Sequence, residues 1–217
     1  MSAAANPRLV LPAQPRLVLP AQPRLGLPAQ PRLVLPAQPR LVLIGGGARS
    51  GKSRFALVRA EALGARRLFV ATAEASDDEM RERIARHRAE RGAGFATREE
   101  PRALPEALAA VRDHDVVVVD CLTLWISNLL VAGASAADVQ ARVAALLAVL
   151  AERRAHVVLV SNEVGMGLVP ETPLGRIFRD VVGQAHQRIA AAADEIYLAA
   201  MGLLVRLRPA PVEVVPS

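Results

Sequence analysis

The stretch Leu41-Val-Leu-Ile-Gly-Gly-Gly-Ala-Arg-Ser-Gly-Lys-Ser-Arg-Phe55 predicts the fold of this 217-residue chain. Residues 46–53 fit the phosphate-loop pattern G-x-x-x-x-G-K-[ST], with an apolar run before them and a helical pattern after them. The glycines let backbone N–H groups turn toward phosphate oxygens, and the helix that follows adds the positive end of its dipole. We therefore expect Lys52 to reach the β- and γ-phosphates of a nucleotide and Ser53 to bind Mg²⁺.

Lys52 is the only lysine among 27 basic residues, and the other 26 are arginine. A compact ammonium suits a position among phosphates, which explains why a lysine is kept here. The competing interpretation is a glycine-rich turn with a lysine by chance. The strand and helix patterns on either side disfavour it.

Length and charge indicate one α/β domain with no nucleic-acid partner. A chain of 217 residues that is 52% hydrophobic can bury one sizeable core. The net charge is +6, but five arginines and no acidic residue lie in residues 1–40, which leaves the rest at +1. Aromatic residues make up 3% of the chain, so a basic surface with stacking aromatics is not expected.

The single cysteine, Cys121, excludes an internal disulfide and suits a reducing cytoplasm, where we expect the protein to reside. The most apolar stretch, residues 116–133, is interrupted by Asp120 and Asn128. It predicts a buried strand followed by a helix, and no membrane span.

Residues 1–40 form an octapeptide array outside the predicted domain, which spans residues 41–217. The unit PRLVLPAQ starts at Pro7 and recurs, with one substitution, until a fifth copy at Pro39 runs into LVLIGGG. A proline at both ends of each Arg-Leu-Val-Leu run removes donors that a sheet would need. We predict a disordered tail without a part in the chemistry.

Beyond the tail, apolar runs alternate with helical patterns. Strands are predicted at residues 41–44, 67–72, 115–120, 156–161, 195–200 and 203–207, and helices at 53–63, 77–91, 105–112, 122–132, 136–154 and 174–193. This order predicts a P-loop, RecA-like α/β fold with a mostly parallel sheet and helices on both faces. Ligands of such sheets bind beyond the carboxyl ends of the strands.

Two candidates for chemistry lie outside the phosphate loop. Asp120 ends an apolar strand. In P-loop proteins, the acid at this place holds Mg²⁺ directly or through water. Without the phosphate loop, an aspartate at a strand end would fit a turn or a helix cap. His87 follows Met80 and Ile84 on one face of a predicted helix capped by Ser76 or Asp77. It fits either a packed histidine or a neutral nucleophile that attacks phosphorus.

Other polar residues carry weaker signals. His114, His156 and His186 are assigned structural or solvated roles by default, and no pair of histidines has zinc spacing. Asn162 and Glu163, in a loop with two glycines and a proline, either contact substrate or form a structural turn. Arg176 and Arg179 either meet phosphate or form a solvated helix face.

Four stretches give the chain a specific resemblance. They are GGARSGKSRFA at residues 46–56, ATAEASDDEMRERIARHR at 71–88, VVVDCLTLWISNLL at 117–130, and SNEVGMGLVPETPLGRIFRDVVGQAHQRIAAAADEIYL at 161–198. From residue 41 to 207 the chain resembles the bifunctional adenosylcobinamide kinase and adenosylcobinamide-phosphate guanylyltransferase family of cobalamin biosynthesis. The second and fourth stretches are more diagnostic than the phosphate loop.

The resemblance implies two reactions and a set of residues. A nucleoside triphosphate, ATP or GTP, phosphorylates the aminopropanol hydroxyl of adenosylcobinamide. The histidine at position 87 then attacks the α-phosphorus of GTP and passes GMP to adenosylcobinamide phosphate, which gives adenosylcobinamide-GDP. By resemblance, the catalytic residues are His87 and Lys52, and the Mg²⁺ ligands are Ser53 and Asp120. The resemblance assigns the phosphate loop to Gly46, Gly47, Ala48, Arg49, Ser50, Gly51, Lys52 and Ser53. It assigns further nucleotide contacts to Ala71, Thr72, Ala73, Arg88, Ala89, Glu90, Arg91, Glu99 and Asp120.

The chain departs from the family pattern at three positions. The family has glutamate at Asp120, a second histidine at Arg86 and asparagine at His186. The shorter acid favours Mg²⁺ binding through water. The family also implies a homotrimer.

Two other functions fit the phosphate loop, namely a small-molecule kinase without nucleotidyl transfer and a RecA-like ATPase stimulated by nucleic acid.

Overall fold

The computed structural model describes residues 38–75 and 78–215, and for residues 79, 80, 83, 86, 87 and 90–92 it describes the backbone alone. The tail before residue 38 and the predicted helix caps Ser76 and Asp77 lie outside the described residues. The described elements are β1 (Leu41–Gly46), α1 (Lys52–Leu63), β2 (Arg67–Ala71), α2 (Asp78–Arg91) with a 3-10 turn (Gly92–Gly94), β3 (Ala96–Glu99), α3 (Leu104–Ala109), β4 (Val116–Asp120), α4 (Leu122–Val131), α5 (Ala136–Ala151), β5 (His156–Asn162), α6 (Pro173–Ala192), β6 (Glu195–Ala200), β7 (Leu203–Arg208) and β8 (Glu213–Val215).

The strands form one mixed sheet in the order β3-β2-β4-β5-β1-β6-β7-β8. The first six strands of this order are parallel, and β7 and β8 add to one edge as antiparallel strands. β1, which leads into the phosphate loop, lies between β5 and β6. The prediction of a mostly parallel sheet in a single α/β domain is confirmed.

The central strands are buried on both faces, which explains their nearly continuous apolar sequence. In β1, Leu41 and Leu43 belong to one hydrophobic cluster, and Val42 and Ile44 belong to the other. Successive side chains of a strand point to opposite faces, so an unbroken Leu-Val-Leu-Ile run supplies both cores. Burial of this kind stabilises the sheet by roughly 1.5 to 3 kcal/mol for each large aliphatic side chain.

Helices cover both faces of this sheet, as predicted. Residues of α1 belong to one cluster, and residues of α3, α4, α5 and α6 belong to the other. Trp125 of α4 is fully buried, and its Nε1 donates a hydrogen bond to the carbonyl of Arg102 at 2.8 Å. No helix in the described ranges is both long enough and apolar enough to cross a bilayer.

Two strands were absent from the prediction. β3 reads Ala-Thr-Arg-Glu with all four side chains exposed, and β8 has three residues at the opposite edge. β3 has no apolar pattern and β8 is too short to show one, and each is a strand because it pairs with a neighbour. As a result, Asp120 ends the fourth strand of the chain, and the prediction that it ends the third was wrong.

Two helices end three residues earlier than predicted. α3 ends at Ala109 rather than at residue 112, and α5 ends at Ala151 rather than at residue 154. In each case an arginine after the helix turns back onto carbonyls of its last turn: Arg112 donates to Ala109, and Arg153 donates to Leu150. The carbonyls of a helix's last turn have no N–H donor within the helix, and these arginine side chains supply one.

The amino end of β1 is anchored by a buried acid. Glu195 is 3% exposed and accepts hydrogen bonds from Arg40, Arg59 and the phenol of Tyr197. Burial opposes the ionisation of Glu195, but the hydrogen bonds from the two arginines lower its pKa. Burial, followed by the Glu195 charge, raises the pKa of Tyr197 to about 12. The backbone N–H of Arg40 also donates to Nδ1 of His156 at 2.9 Å.

Candidate nucleotide-binding site

Several residues that the sequence analysis proposed for nucleotide binding lie at the carboxyl edge of the sheet. Gly46 pairs with Asn162 on one side and with Ala199 on the other. Further along the sheet, Ala71 pairs with both Asp120 and Glu99. The parallel strands therefore end together, and the phosphate loop lies at the same edge as the predicted acids.

The backbone of the phosphate loop follows from its glycines. A Cβ on Gly46 would lie 2.4 Å from the carbonyl oxygen of Ala199 and 2.8 Å from Oγ of Ser50. Gly51, at the N-cap of α1, has a φ of 92°, and Arg49 has a φ of 55°. Left-handed residues in such a turn direct successive N–H groups toward one point, which makes a concave anion site. The helix dipole of α1 adds to the same potential.

Two buried polar side chains fit a phosphate in this loop. Lys52 is 7% exposed, and its Nζ donates to the carbonyl of Gly47 at 2.9 Å, so its ammonium lies over the loop. Ser50 Oγ is buried and has no hydrogen-bond partner among the described residues. A buried hydroxyl without a partner is costly, and a phosphate oxygen would supply the acceptor that it lacks.

Asp120 lies beside a hydrogen-bonded pair at the ends of β2 and β4. Thr72 is fully buried, accepts from the N–H of Cys121 at 2.7 Å and donates to the carbonyl of Cys121 at 2.8 Å. Burial, and then the charge of Asp120, raises the pKa of the Cys121 thiol, while the charge of Lys52 acts in the opposite sense. The charges of Asp120 and Lys52 therefore both affect the pKa of the buried Cys121 thiol.

The donor set fits a magnesium ion bound mostly by water and phosphate. β5 lies between β1 and β4, so the strands that lead to Ser53 and Asp120 are about 10 Å apart, at roughly 4.8 Å per strand. No group of three or more metal-ligating His, Cys, Asp or Glu side chains occurs in the described part of the chain. Mg²⁺ is commonly held by one or two protein oxygens together with water and substrate phosphates. A hydroxyl and a single carboxylate are therefore an adequate set.

The structure brings together two residues that the family resemblance assigned to nucleotide binding. Arg88 of α2 donates to Glu99, the last residue of β3, at 2.5 Å. Both side chains are more than half exposed, so this ion pair leaves both groups accessible to a ligand. His87 precedes Arg88 in α2, and its side chain lies outside the described residues, as do those of Glu90 and Arg91. Ala89 is exposed on the same helix.

A contact that the sequence did not predict lies at the end of β5. Ser161 Oγ and Nε2 of His186 are 2.6 Å apart, and Nδ1 of His186 is 3.8 Å from a Glu163 carboxylate oxygen. Burial lowers the pKa of His186, while the charge of Glu163 opposes this shift. The N–H of Glu163 donates to the carbonyl of Gly46 at 2.9 Å, which ties the group to the phosphate loop. The two partners are 25 residues apart, and no spacing rule connects a strand residue to a helix residue at that distance.

Asn162 and Arg176 have partners within the protein. The Asn162 amide donates to Oγ1 of Thr123 at 2.9 Å, which fixes the end of β5 against α4. Arg176 donates to the carbonyls of Pro170 and Glu171, at 3.0 and 2.7 Å. Arg176 thus supports the loop before α6, which neither of its two predicted roles included.

The glycine-rich turn after a buried parallel strand, the covered lysine and the strand-end acid define a P-loop nucleotide-binding α/β domain. Residues 42–207 match the family model described as cobinamide kinase / cobinamide phosphate guanyltransferase. The chain belongs to this family, as its sequence resemblance predicted.

Characterised relatives match over nearly their whole length. The chain is 39% identical to the bifunctional adenosylcobalamin biosynthesis protein CobU of Escherichia coli (strain K12), over 76% of this chain and 98% of the relative. It is 42% identical to the bifunctional adenosylcobalamin biosynthesis protein CobP of Pseudomonas aeruginosa (strain PAO1), over 78% of this chain and 98% of the relative. Among solved structures, the RadB recombinase has a TM-score of 0.45 and 17% identity, covering 81% of this chain and 86% of that one.

Proposed function

We propose that this protein phosphorylates adenosylcobinamide and then converts adenosylcobinamide phosphate to adenosylcobinamide-GDP. The match of residues 42–207 to the family model carries the proposal, because it covers both the phosphate loop and the helix that bears His87. We place both activities in residues 41–217, with residues 1–40 outside the chemistry. A cytoplasmic homotrimer that needs no nucleic acid completes the proposal, by resemblance to the family.

In the kinase step, the aminopropanol hydroxyl of the corrinoid attacks the γ-phosphorus of ATP or GTP and the nucleoside diphosphate leaves. Lys52 and the N–H groups of the loop neutralise charge on the phosphates. Ser50 Oγ, which is buried and has no hydrogen-bond partner in the described part of the chain, donates to a phosphate oxygen. Ser53 and Asp120 would hold Mg²⁺, which would offset negative charge on the phosphates when bound.

In the transfer step, a neutral His87 nitrogen attacks the α-phosphorus of GTP. A P–N bond forms, the α–β phosphoanhydride bond breaks and pyrophosphate leaves. The phosphate oxygen of adenosylcobinamide phosphate then attacks the same phosphorus, which breaks the P–N bond and restores the histidine. Arg88 follows His87 in the chain and forms an ion pair with Glu99 at 2.5 Å. Its guanidinium supplies positive charge to the phosphates.

The transfer step is tested by incubating the purified protein with GTP labelled at the α-phosphate, without corrinoid. We expect a covalent label that is labile in acid and stable in base, as a phosphoramidate is, and that is absent in His87→Ala. His114→Ala is the matched control, since His114 has no role in the chemistry, and it should label fully. Labelling that persists in His87→Ala would refute the assignment of the nucleophile.

The kinase step is tested separately with adenosylcobinamide and ATP, with products resolved by mass. Lys52→Ala should reduce kcat/KM by at least about a hundredfold, because charge stabilisation at a phosphoryl group is worth several kcal/mol. Kinase activity in a protein that never labels with GTP would identify a kinase without nucleotidyl transfer.

A further inference from the structure

Two exposed apolar segments flank the phosphate loop at the carboxyl edge of the sheet. On the β5 side, Met166, Leu168 and Val169 are 82%, 96% and 64% exposed. On the β6 side, Met201 and Leu203 are 98% and 58% exposed. These five residues are called the apolar rim. Gly46 pairs with both Asn162 and Ala199. Met166 lies four residues after Asn162 in the chain, and Met201 lies two residues after Ala199.

The β5 side of the rim is presented by a loop fixed at both ends. At its start, the N–H of Glu163 donates to Gly46, and a carboxylate oxygen of Glu163 accepts from the N–H of Gly165 at 2.6 Å. At its end, Arg176 donates to the carbonyls of Pro170 and Glu171. The apolar side chains between these anchors face solvent although the loop is tied down. Exposed apolar groups that are clustered in this way mark a binding surface.

The β6 side of the rim is held by a tight turn. Met201 and Gly202 are the two residues between β6 and β7, with φ values of 53° and 77°. A left-handed conformation disfavours methionine, and asparagine or glycine is the usual choice at this position. The turn thus places a large, flexible apolar side chain next to the phosphate loop at a conformational cost.

We propose that the apolar rim docks the corrin macrocycle of adenosylcobinamide during the kinase step. This inference rests on the proposed function, which requires a hydroxyl tethered to a large macrocycle to reach the γ-phosphate over Lys52. The macrocycle must then lie on the surface around the phosphate loop, and the rim offers exposed apolar side chains there. A nucleotide would not need it, because phosphates and ribose take polar partners.

Charge supports the same occupant. Between Glu163 and Glu171 the loop contains no charged residue, and residues 199–204 contain none either. An uncharged surface with carboxylates at the ends of one loop suits a macrocycle that carries amide side chains and a single positive charge on its alkylated cobalt(III). Methionine side chains adapt to an irregular ligand surface, which fits the two at this rim.

The test compares Met166→Glu, Leu168→Glu and Met201→Glu with Val131→Glu. Val131, 74% exposed near the C-terminal end of α4, is a matched control for adding a carboxylate to an exposed apolar site. Binding of adenosylcobinamide is measured by equilibrium dialysis from corrin absorbance, with a non-hydrolysable ATP analogue present. We expect the dissociation constant to rise at least tenfold in the rim variants and to stay unchanged in Val131→Glu.

Two further measurements separate this inference from the proposed function. Labelling by α-labelled GTP without corrinoid should be equal in all variants, because the nucleophile does not use the rim. Molar mass by light scattering should also be equal. Unchanged corrinoid binding in the rim variants would overturn the inference, and a lower mass would show that a second copy of the chain covers this face. A wild type that binds corrinoid through the rim but never labels would refute the transferase and leave the docking surface in place.

Discussion

Gly46 is the residue at which the phosphate loop leaves no room for a side chain. In Gly46→Ala, the new Cβ would meet the Ala199 carbonyl oxygen at 2.4 Å, so the strand or the loop must shift. We expect a loss of about 1 to 3 kcal/mol in the free energy of unfolding, as for other overpacked sites. Nucleotide binding should also fall, because the loop carries the N–H groups that hold phosphate. Urea denaturation and titration with a fluorescent GTP analogue measure the two effects.

Gly47→Ala is the matched control for this prediction. No atom of residues 38–75 or 78–215 that the structure describes lies within 4 Å of a Cβ built on Gly47, and the φ of Gly47 is not in the left-handed region. This variant should unfold at the wild-type urea concentration. Equal destabilisation by the two substitutions would contradict the steric explanation.

Ser161 and His186 make a second prediction at the residue scale. His186→Ala leaves the hydroxyl of Ser161, which is fully buried, without its partner at 2.6 Å. We expect a cost of about 1 to 3 kcal/mol in the free energy of unfolding. In Ser161→Ala/His186→Ala, the loss should be smaller than the sum of the two single losses, because the second substitution removes the unpaired group.

His186→Asn gives a graded control for the same pair. Asparagine does not titrate in this range, and its amide can still bond to a hydroxyl. A loss smaller than that of His186→Ala is expected. Strict additivity in the double-mutant cycle would show that the 2.6 Å contact contributes nothing.

At the scale of elements, the hairpin between β6 and β7 contains a residue that opposes its own turn. Met201→Asn should raise the free energy of unfolding by about 1 kcal/mol, since Asn-Gly suits a turn with two positive φ values. Met166→Asn is the control, because Met166 is also exposed but has no positive φ. Urea denaturation decides the prediction, and an equal change in both variants would contradict it. If the apolar rim binds the corrinoid, Met201→Asn should also weaken that binding.

The elements show which parts of the fold a sequence pattern can predict. β1 was predicted because its four apolar residues fill two cores, and Asp120 was found because a charge ends such a run. β3 was missed because Ala-Thr-Arg-Glu is exposed throughout and becomes a strand by pairing with β2. Edge strands with solvated side chains carry no hydrophobic period for a sequence pattern to detect.

At the scale of the whole molecule, two partly buried histidines predict how stability depends on pH. Burial lowers the pKa of His156, with further effects from Arg59, Arg40 and Arg153 and an opposing one from Glu195. Burial likewise lowers the pKa of His186 against the charge of Glu163. Because the pKa values of both histidines in the folded protein lie below the ordinary value of 6.5, the unfolded chain binds more protons at and below that pH. The free energy of unfolding should therefore decrease as the pH falls from 6.5.

Thermal or urea unfolding between pH 7.5 and about 5.5 measures this slope, in a range where most carboxylates stay ionised. In His156→Gln the slope should be shallower, because glutamine does not titrate and its oxygen can still accept from the N–H of Arg40. A slope that is unchanged in this variant would exclude His156 as a source. The control substitution is His114→Gln, at a histidine outside this pair.

The sequence by itself determined the phosphate loop, the alternation of strands and helices, and the family. The loop is encoded by eight contiguous residues whose glycines set the local backbone, so no distant contact is needed to recognise it. Only the tertiary structure decided which strands are neighbours, since a crossover connection does not specify the partner of a strand. That order placed Arg88 against Glu99, brought Ser161 to His186 and set Met166 and Met201 on opposite sides of Gly46. These contacts join residues far apart in the chain because a sheet buried on both faces is stabilised by packing of the whole core, which a local pattern does not contain.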